Sequence, residues 1–202
     1  MARASKDYML HTDEIMSMKV LGFVGSPRPV GNTATLVSQA LAGAKDAGAD
    51  VEQVHIPSLE ITGCKGCKYC KSHETCRIDD DMQTLYTKIR EADVLIFGTP
   101  VYFAQMTGQM KQFVDRLYAL IDAEYKPRIA SGKKSAVILA QGDDNVAAFT
   151  GIADTFNFAM SFLQVSVSDP IIAGGLDAPK DVEKNVSAMD KAYQLGKKLA
   201  AS

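Results

Sequence analysis

The sequence predicts an α/β protein built on a doubly wound parallel sheet of five strands. Two observations point there. Short, nearly continuous apolar runs recur along the chain, and segments with apolar residues at helical spacing alternate with them. Strands without polar alternation are buried on both faces, which a parallel sheet between two helix layers provides. The 202 residues make one domain. A chain of that length buries roughly 70% of its unfolded surface and needs no disulfide scaffold.

The elements follow in order. Val20, Leu21, Gly22, Phe23 and Val24 read as the first strand, closed by Gly25-Ser26-Pro27. Asn32 and Thr33 give an N-cap signal for a helix. It carries Leu36, Val37, Ala40, Leu41 and Ala44 on one face and stops at Gly48. Residues 51–56 form strand two. Asp79, Asp80 and Asp81 put negative charge at the start of a helix reaching Glu91, whose apolar face is Met82, Leu85, Tyr86 and Ile89. Residues 94–98 form strand three. Residues 99–107 read as a loop before a long helix with the stripe Met110, Phe113, Val114, Leu117, Leu120 and Ile121. On that helix Lys111 and Asp115 read as a surface ion pair.

Strand four covers residues 136–140. A polar turn of Gln141, Gly142, Asp143 and Asp144 follows, then a helix over residues 147–162. Residues 165–172 form strand five, placed near an edge by Pro170. The last helix spans residues 180–200, with Val182, Val186, Met189 and Tyr193 on one side. Residues 1–17 show no period and read as an N-terminal arm, leaving residues 18–202 as the folded domain.

Composition excludes several classes of function. Lys plus Arg is 22 against 24 for Asp plus Glu, a net charge of -2. There is no basic stripe, so nucleic acid is not an expected partner. No apolar run is long enough to span a membrane. The N-terminus carries Lys6, Asp7, Asp13 and Glu14 without the apolar core of a signal peptide, so cytoplasmic residence is expected. Thiols stay reduced there, and four cysteines read as ligands or redox groups before disulfides. None of His11, His55 and His73 sits beside a nucleophile elbow or in a metal-binding pair, which argues against hydrolases.

Ligands of a doubly wound sheet bind at the carboxyl ends of its strands. The segment from Gly25 to Thr33 joins a buried strand to a helix N-terminus, where unpaired N–H groups favour an anion. Ser26, Asn32 and Thr33 add donors, Gly31 gives the turn its room, and Arg28 adds a charged fork. Walker-type and dinucleotide spacings are absent, and a plain strand-to-helix turn remains open. Pro100, Val101, Tyr102 and Phe103 stand where a flat, partly apolar ring can rest, although aromatics at a strand end are also ordinary core residues. Gln141 and Gly142 form a third candidate loop.

All four cysteines fall in one segment: Cys64, Cys67, Cys70 and Cys76, spaced C-x2-C-x2-C-x5-C. Three closely spaced thiolates plus a fourth suit a cubane cluster. Lys65, Lys68 and Lys71 are expected to lower nearby thiol pKa values and offset cluster charge. Zinc with His73 as a substitute ligand, free thiols and a regulatory disulfide stay open.

The run Gly25-Ser26-Pro27-Arg28-x-x-Gly31-Asn32-Thr33 resembles the phosphate loop of the NADPH-dependent FMN reductase-like branch of flavodoxin-like proteins. The segment from Gly98 to Lys111, continued by Phe113, Asp115 and Arg116, resembles that family's isoalloxazine loop and following helix. The cysteine segment resembles the compact motif of the iron–sulfur flavoprotein branch. The similarity covers residues 19–200. It implies a flavodoxin-like doubly wound five-stranded parallel sheet, order 2-1-3-4-5, in a single domain. It also implies FMN on Ser26, Arg28, Gly31, Asn32, Thr33, Pro100, Val101, Tyr102 and Phe103, with Gln141 and Gly142 at the flavin edge. NAD(P)H as co-substrate, a [4Fe–4S] cluster on Cys64, Cys67, Cys70 and Cys76, and a homodimer or dimer of dimers are further expectations. The expected function is an FMN-dependent oxidoreductase passing electrons from NAD(P)H to a quinone, metal ion or other small-molecule or protein acceptor. An electron carrier fed by ferredoxin and a zinc- or thiol-responsive protein without flavin chemistry are the competing expectations. No catalytic side chain is expected, because the flavin carries the electrons.

Overall fold

The computed structural model describes residues 17–201. The N-terminal arm, apart from Ser17, therefore lies outside the described residues, as does His11. The strands are β1 (Lys19–Val24), β2 (Asp50–His55), β3 (Val94–Tyr102), β4 (Gln105–Met106), β5 (Lys134–Ala140), β6 (Ser166–Val167) and β7 (Ile171–Ala173). The helices are α1 (Asn32–Asp46), the single turn α2 (Tyr69–Ser72), α3 (Met82–Glu91), α4 (Gly108–Arg116), α5 (Thr150–Phe162) and α6 (Val186–Ala200).

The sheet runs β2-β1-β3-β5-β6, with β7 also on β5 and every one of these pairs parallel. β6 and β7 are two pieces of one edge strand. β6 pairs with Lys134 and Ser135, and β7 with Ile138, Leu139 and Ala140. The break contains Pro170, which has no N–H to give the ladder. Counted as one strand, the pair gives the expected order 2-1-3-4-5.

Helices α1 and α6 cover one face, and α3, α4 and α5 the other. On the second face Phe23 stacks on Phe97 at 5.5 Å between ring centroids, Phe113 lies 4.8 Å from Phe23, and Phe156 lies 5.5 Å from Phe97. This aromatic layer supports the strand ends from which the candidate loops depart.

Four expectations change. Strand three does not end at Gly98. It runs on to Tyr102, reverses through a tight turn and pairs antiparallel with β4. The long helix after it is shorter, with α4 giving way at Leu117–Leu120 to a 3₁₀ turn. The cap of α1 is Gly31, which has no side chain to offer, and Asn32 is already the first helical residue, its side chain bonded to Ala178 and Val182. The last helix is split: Asp181–Lys184 is a 3₁₀ turn, and Asn185 caps α6 by accepting from Ala188 N at 3.1 Å. That break resets the helical phase. Val186 is 76% exposed, and the buried side is Ala188, Ala192, Gly196 and Leu199.

The small residues of that stripe let α6 touch α1 backbone to backbone. A Cβ on Gly196 would sit 1.7 Å from the Ala40 carbonyl oxygen, and one on Gly43 would sit 2.0 Å from that of Tyr193. Among the described residues, no helix is long and apolar enough to cross a membrane. Gly196→Ala is expected to cost at least 1–3 kcal/mol, the usual cost of overpacking. Gly151→Ala, in α5 with open space around the new methyl group, should be neutral or gain roughly 0.5–1 kcal/mol. Urea denaturation of the two variants checks the contrast.

Candidate functional site

Three loops meet at the carboxyl edge of the sheet. In the first, Ser26 is buried, and its Oγ accepts from Arg28 N at 3.2 Å. Gly31 N donates to Arg28 O at 3.2 Å, closing the turn. The Arg28 side chain is exposed. With Gly31 as a backbone-only cap and no acidic residue in the first turn, the N–H groups that open α1 face the loop without a side-chain acceptor. Thr33 is buried at the helix start. Asn32 does a different job from the one expected. Its Nδ2 donates to Ala178 O at 2.9 Å and its Oδ1 accepts from Val182 N at 3.1 Å, so its side chain pins the chain leading into α6.

Two residues outside the sequence-based site hold this loop. His55, ending β2, has Nε2 2.8 Å from Ser26 O. A carbonyl partner requires the proton on that nitrogen. Thr107, fully buried, caps α4 by accepting from Met110 N at 3.2 Å. It also donates to Gly25 O at 2.7 Å, while its own N–H reaches Thr99 Oγ1 at 3.1 Å. Gly25 N in turn donates to Gly98 O at 2.8 Å. One threonine thus locks the first loop to the second. A Ser or Thr before a helix is a visible cap signal, but its second partner, 82 residues away, leaves no trace in local sequence.

The second loop is a hairpin tip. Val101 pairs with Met106 and Tyr102 with Gln105, leaving Phe103 and Ala104 as the two turn residues. Both are left-handed, at φ 46° and 64°. Two-residue hairpin turns of this kind normally carry Asn-Gly or Gly-Gly. Pro100 and Val101 are half-buried, Tyr102 is exposed, and the Phe103 side chain stands fully in solvent. Neither aromatic is a core residue, which removes the alternative reading of the sequence.

In the third loop Gln141 is buried. Its Nε2 donates to Asp143 O at 3.0 Å and Asn145 O at 2.9 Å, shaping the turn, while its Oε1 is buried without a protein partner. Gly142 packs where a Cβ would meet Asp177 Oδ1 at 2.9 Å.

The cysteine segment lies elsewhere. It does not fold over the carboxyl edge but descends along α3 and α4. Lys71 Nζ donates to Tyr118 O at 3.0 Å and Ile121 O at 2.7 Å, and sits 3.4 Å over the Tyr118 ring. Arg128 donates to Cys70 O at 2.6 Å, Gln83 to Cys76 O at 2.8 Å, and Arg90 to Glu74 O at 3.2 Å. Arg90 is in the last turn of α3, next to the start of β3. At the neck of the segment Arg116 forms a fork on Asp80, at 2.5 and 3.0 Å, and donates to Thr62 O at 2.6 Å. Asp80 also accepts from Thr62 N at 2.9 Å. The two ends of the segment are therefore tied to one guanidinium.

Cys64 and Cys67 are exposed, Cys70 and Cys76 are half-buried, and all four are unpaired. Gly66 and Lys68 take left-handed conformations between them. Burial pushes the Cys70 thiol pKa up, with Cys76 and Cys64 adding to the rise, and the neighbouring Lys71 does not reverse it. The expectation of a lysine-lowered thiol fails at Cys70, because burial of the thiol outweighs the lowering by the Lys71 ammonium. His73 is stacked on Tyr69 at 3.7 Å, with Nδ1 3.1 Å from Tyr69 O. Among the described residues, no three His, Cys, Asp or Glu side chains are gathered at metal-binding distance. Three of the thiols nonetheless share one electrostatic neighbourhood. The Lys111–Asp115 pair is present at 2.6 Å on an exposed face, as read from the sequence.

Residues 18–167 match the family described as NADPH-dependent FMN reductase. The chain is 33% identical over 190 residues to an iron-sulfur flavoprotein of Methanocaldococcus jannaschii, covering 91% of this chain and 96% of the relative. It is 31% identical over 185 residues to an iron-sulfur flavoprotein of Archaeoglobus fulgidus, covering 91% and 79%. Among solved structures, an NAD(P)H:quinone oxidoreductase from Methanothermobacter marburgensis superposes with a TM-score of 0.71 at 18% identity, covering 91% of this chain and 97% of that one, a likeness of fold. The chain belongs to the flavodoxin-like NADPH-dependent FMN reductase and iron–sulfur flavoprotein family. It is accordingly an FMN-binding oxidoreductase.

Two outcomes are expected from this geometry. Thr107→Val leaves Gly25 O and Met110 N without their partner. It should cost about 1–3 kcal/mol and weaken FMN binding, measured by fluorescence titration of the apoprotein. The second concerns acid. Burial opposes ionisation of Asp80, but the Arg116 fork and the Thr62 and Met82 N–H groups outweigh it and hold the carboxyl below its ordinary value. A depressed carboxylate stabilises the fold fully above its unfolded pKa of about 3.9, and that share disappears as pH falls through the lower folded value. Wild-type stability should therefore fall more steeply than that of Asp80→Asn below about pH 4, compared by urea midpoints.

Proposed function

We propose that this protein binds FMN across the three tied loops and passes electrons from NAD(P)H to a small-molecule or protein acceptor. A single observation carries the reading: Thr107 ties Gly25, at the head of the loop that leads into α1, to the strained hairpin, so that a turn suited to an anion stands beside a partly apolar platform. The bound flavin supplies hydride acceptance at N5 and onward transfer of electrons singly or in pairs.

The chain's own residues do the rest. Ser26, Gly31, Thr33 and the first N–H groups of α1 receive the phosphate, with Arg28 as the outer charged fork. Asn32 contributes through its backbone, its side chain being engaged with Ala178 and Val182. Pro100, Val101 and Tyr102 would carry the flat ring, and Phe103, at the tip, would cover an edge. Gln141 Oε1 is the buried acceptor that a ring N–H would satisfy, and Gly142 keeps the adjacent backbone close.

Cys64, Cys67, Cys70 and Cys76 are proposed to hold a [4Fe–4S] cluster. The donor set supports it: four free thiols, three of them sharing one field, framed by Lys65, Lys68, Lys71, Arg77, Arg116 and Arg128. Thiolate ligands and a negatively charged cluster match that frame. The stacked His73, with Nδ1 already engaged, gives zinc less support.

The separation of the cysteine segment from the carboxyl edge supports a homodimer or dimer of dimers, in which one chain's segment faces its partner's flavin. An apolar groove of about 460 Å³ opens beside Cys64 and Gly66, lined by Leu117, Tyr118, Phe158 and Phe162, and offers a second copy an apolar face to cover. Cytoplasmic residence accords with thiols kept reduced.

Stopped-flow mixing with NADPH under anaerobic conditions tests the reaction. Rapid bleaching of the flavin absorbance is expected; inertness towards NADPH and NADH, with reduction by a protein donor, would make the chain a carrier instead. About four irons per chain are expected in anaerobically purified protein.

A further inference from the structure

The connection from β7 to α6, residues 174–182, lies at the carboxyl edge as an irregular strap. It bends at two left-handed residues, Gly175 at φ 69° and Lys180 at φ 70°. One end of the strap is bonded to the third candidate loop. Gly175 N donates to Asp143 O at 3.3 Å, and Leu176 N donates to Gln141 O at 3.1 Å. The contact is close: a Cβ on Gly174 would meet Asp143 O at 2.5 Å, and one on Gly142 would meet Asp177 Oδ1 at 2.9 Å. The other end is bonded to the first loop through Asn32, the first residue of α1. Asn32 Nδ2 donates to Ala178 O at 2.9 Å, and Oδ1 accepts from Val182 N at 3.1 Å. Asp181 braces the turn between these contacts by accepting from Ala178 N at 2.7 Å. Val182 is fully buried in the α1 and α6 layer, which anchors the far end of the strap.

We propose that Asn32 is a positioning residue that couples the phosphate loop to the Gln141 loop, and that this coupling sets a preference for the phosphorylated flavin. A phosphate on the open N–H groups of α1 orders the turn that carries Asn32. The Asn32 side chain passes that order to the strap, and the strap passes it to Gln141, whose buried Oε1 has no protein partner. A ligand with both ring and phosphate orders the strap once and gains at both ends. A ligand with the ring alone bears the whole ordering cost at one end. The proposal rests on the FMN reading above and deepens it, because it assigns the choice between flavin forms to a side chain turned away from the phosphate.

The amide shows why this position needs both a donor and an acceptor. Ala178 O takes a hydrogen and Val182 N gives one, and a primary amide serves both from one side chain. The two bonds can therefore be separated by substitution. Asn32→Ala removes both. Asn32→Asp keeps an acceptor for Val182 N and loses the donor to Ala178 O. Coupling of this kind is reciprocal, so the phosphate end and the Gln141 end must each feel the other.

The experiment measures amide hydrogen exchange by NMR on the full chain saturated with FMN or with riboflavin, two ligands that share the ring and differ in the phosphate. Fluorescence titration gives the affinity for each. In wild type, exchange at the Gly175, Leu176 and Val182 N–H groups is expected to be several-fold slower with FMN than with riboflavin. In Asn32→Ala that difference should vanish at all three while persisting at Thr35, and the ratio of FMN to riboflavin affinity should fall several-fold. In Asn32→Asp it should persist at Val182 and vanish at Gly175 and Leu176. A side chain that only supports packing would speed exchange equally with both ligands and leave the affinity ratio unmoved. A wild-type difference confined to the start of α1 would overturn the coupling and leave the FMN reading intact. Equal affinity and equal exchange with the two flavins would overturn the phosphate-loop reading and this proposal with it. If riboflavin binds too weakly to saturate the chain, inorganic phosphate added to the flavin-free protein gives the same comparison. If Asn32→Ala does not fold, Asn32→Asp decides: protection of Gly175 and Leu176 equal to that of wild type overturns the role of Asn32.

Discussion

A guanidinium with 1% exposure must be compensated on every side, because removing one partner of a buried pair costs about 3–5 kcal/mol. Arg116 engages both terminal nitrogens with Asp80 and Thr62, leaving Nε without a protein partner, and the two residues stand on opposite sides of the cysteine segment in sequence. Satisfying the charge therefore dictates the path of the segment. The chain must leave the core after Thr62 and re-enter it by Asp80, whatever happens between. Burial opposes the Arg116 charge, yet the Asp80 hydrogen bonds outweigh it and hold the pKa above its usual value, so the cation persists across all ordinary pH.

The same helix governs the other site. α4 begins at Thr107, which ties the first loop to the hairpin, and ends at Arg116, which ties the neck of the cysteine segment. Between them Met110 and Phe113 are fully buried in the aromatic layer. A rigid rod with one anchor at each end fixes the relative placement of the candidate flavin loops and the cysteine segment. This explains why α4 stops where it does. After Arg116 the chain tightens into a 3₁₀ turn, which brings Tyr118 O and Ile121 O within reach of Lys71.

Much of this was legible in sequence, for reasons of period. Parallel strands buried on both faces leave unmistakable apolar runs, and the two helix layers follow from them, whereas the strand order came with the family resemblance. The open helix start of the candidate phosphate turn is legible because its pieces are local: a strand, a glycine and a helix start lie within ten residues. Asn32 was misread because its side-chain partners, Ala178 and Val182, are distant in sequence. His55 and Thr107 escaped notice for the same reason. The hairpin at Phe103 and Ala104 was illegible for the opposite one. Nothing in its residue types favours positive φ, so local propensity pointed to an open loop, and tertiary pairing overrode it.

That override has a physical consequence. Two non-glycine residues in left-handed conformation cost about 1–3 kcal/mol each, and an Asn-Gly turn would avoid most of it. The strain is held by its surroundings. β3 is anchored on β5 through Pro100 and Ala140, β4 closes on Val101 and Tyr102, and Thr99 Oγ1 accepts from Thr107 N just beyond. What the strain accomplishes is placement. It carries an aromatic ring to the outermost point of the hairpin with its whole side chain in solvent, a position that burial alone would never select for phenylalanine. Glycine at that point would relax the turn and remove the ring. The stored strain and the exposed ring thus belong together, and both make sense when a flat ligand or a second chain completes the surface that Phe103 begins.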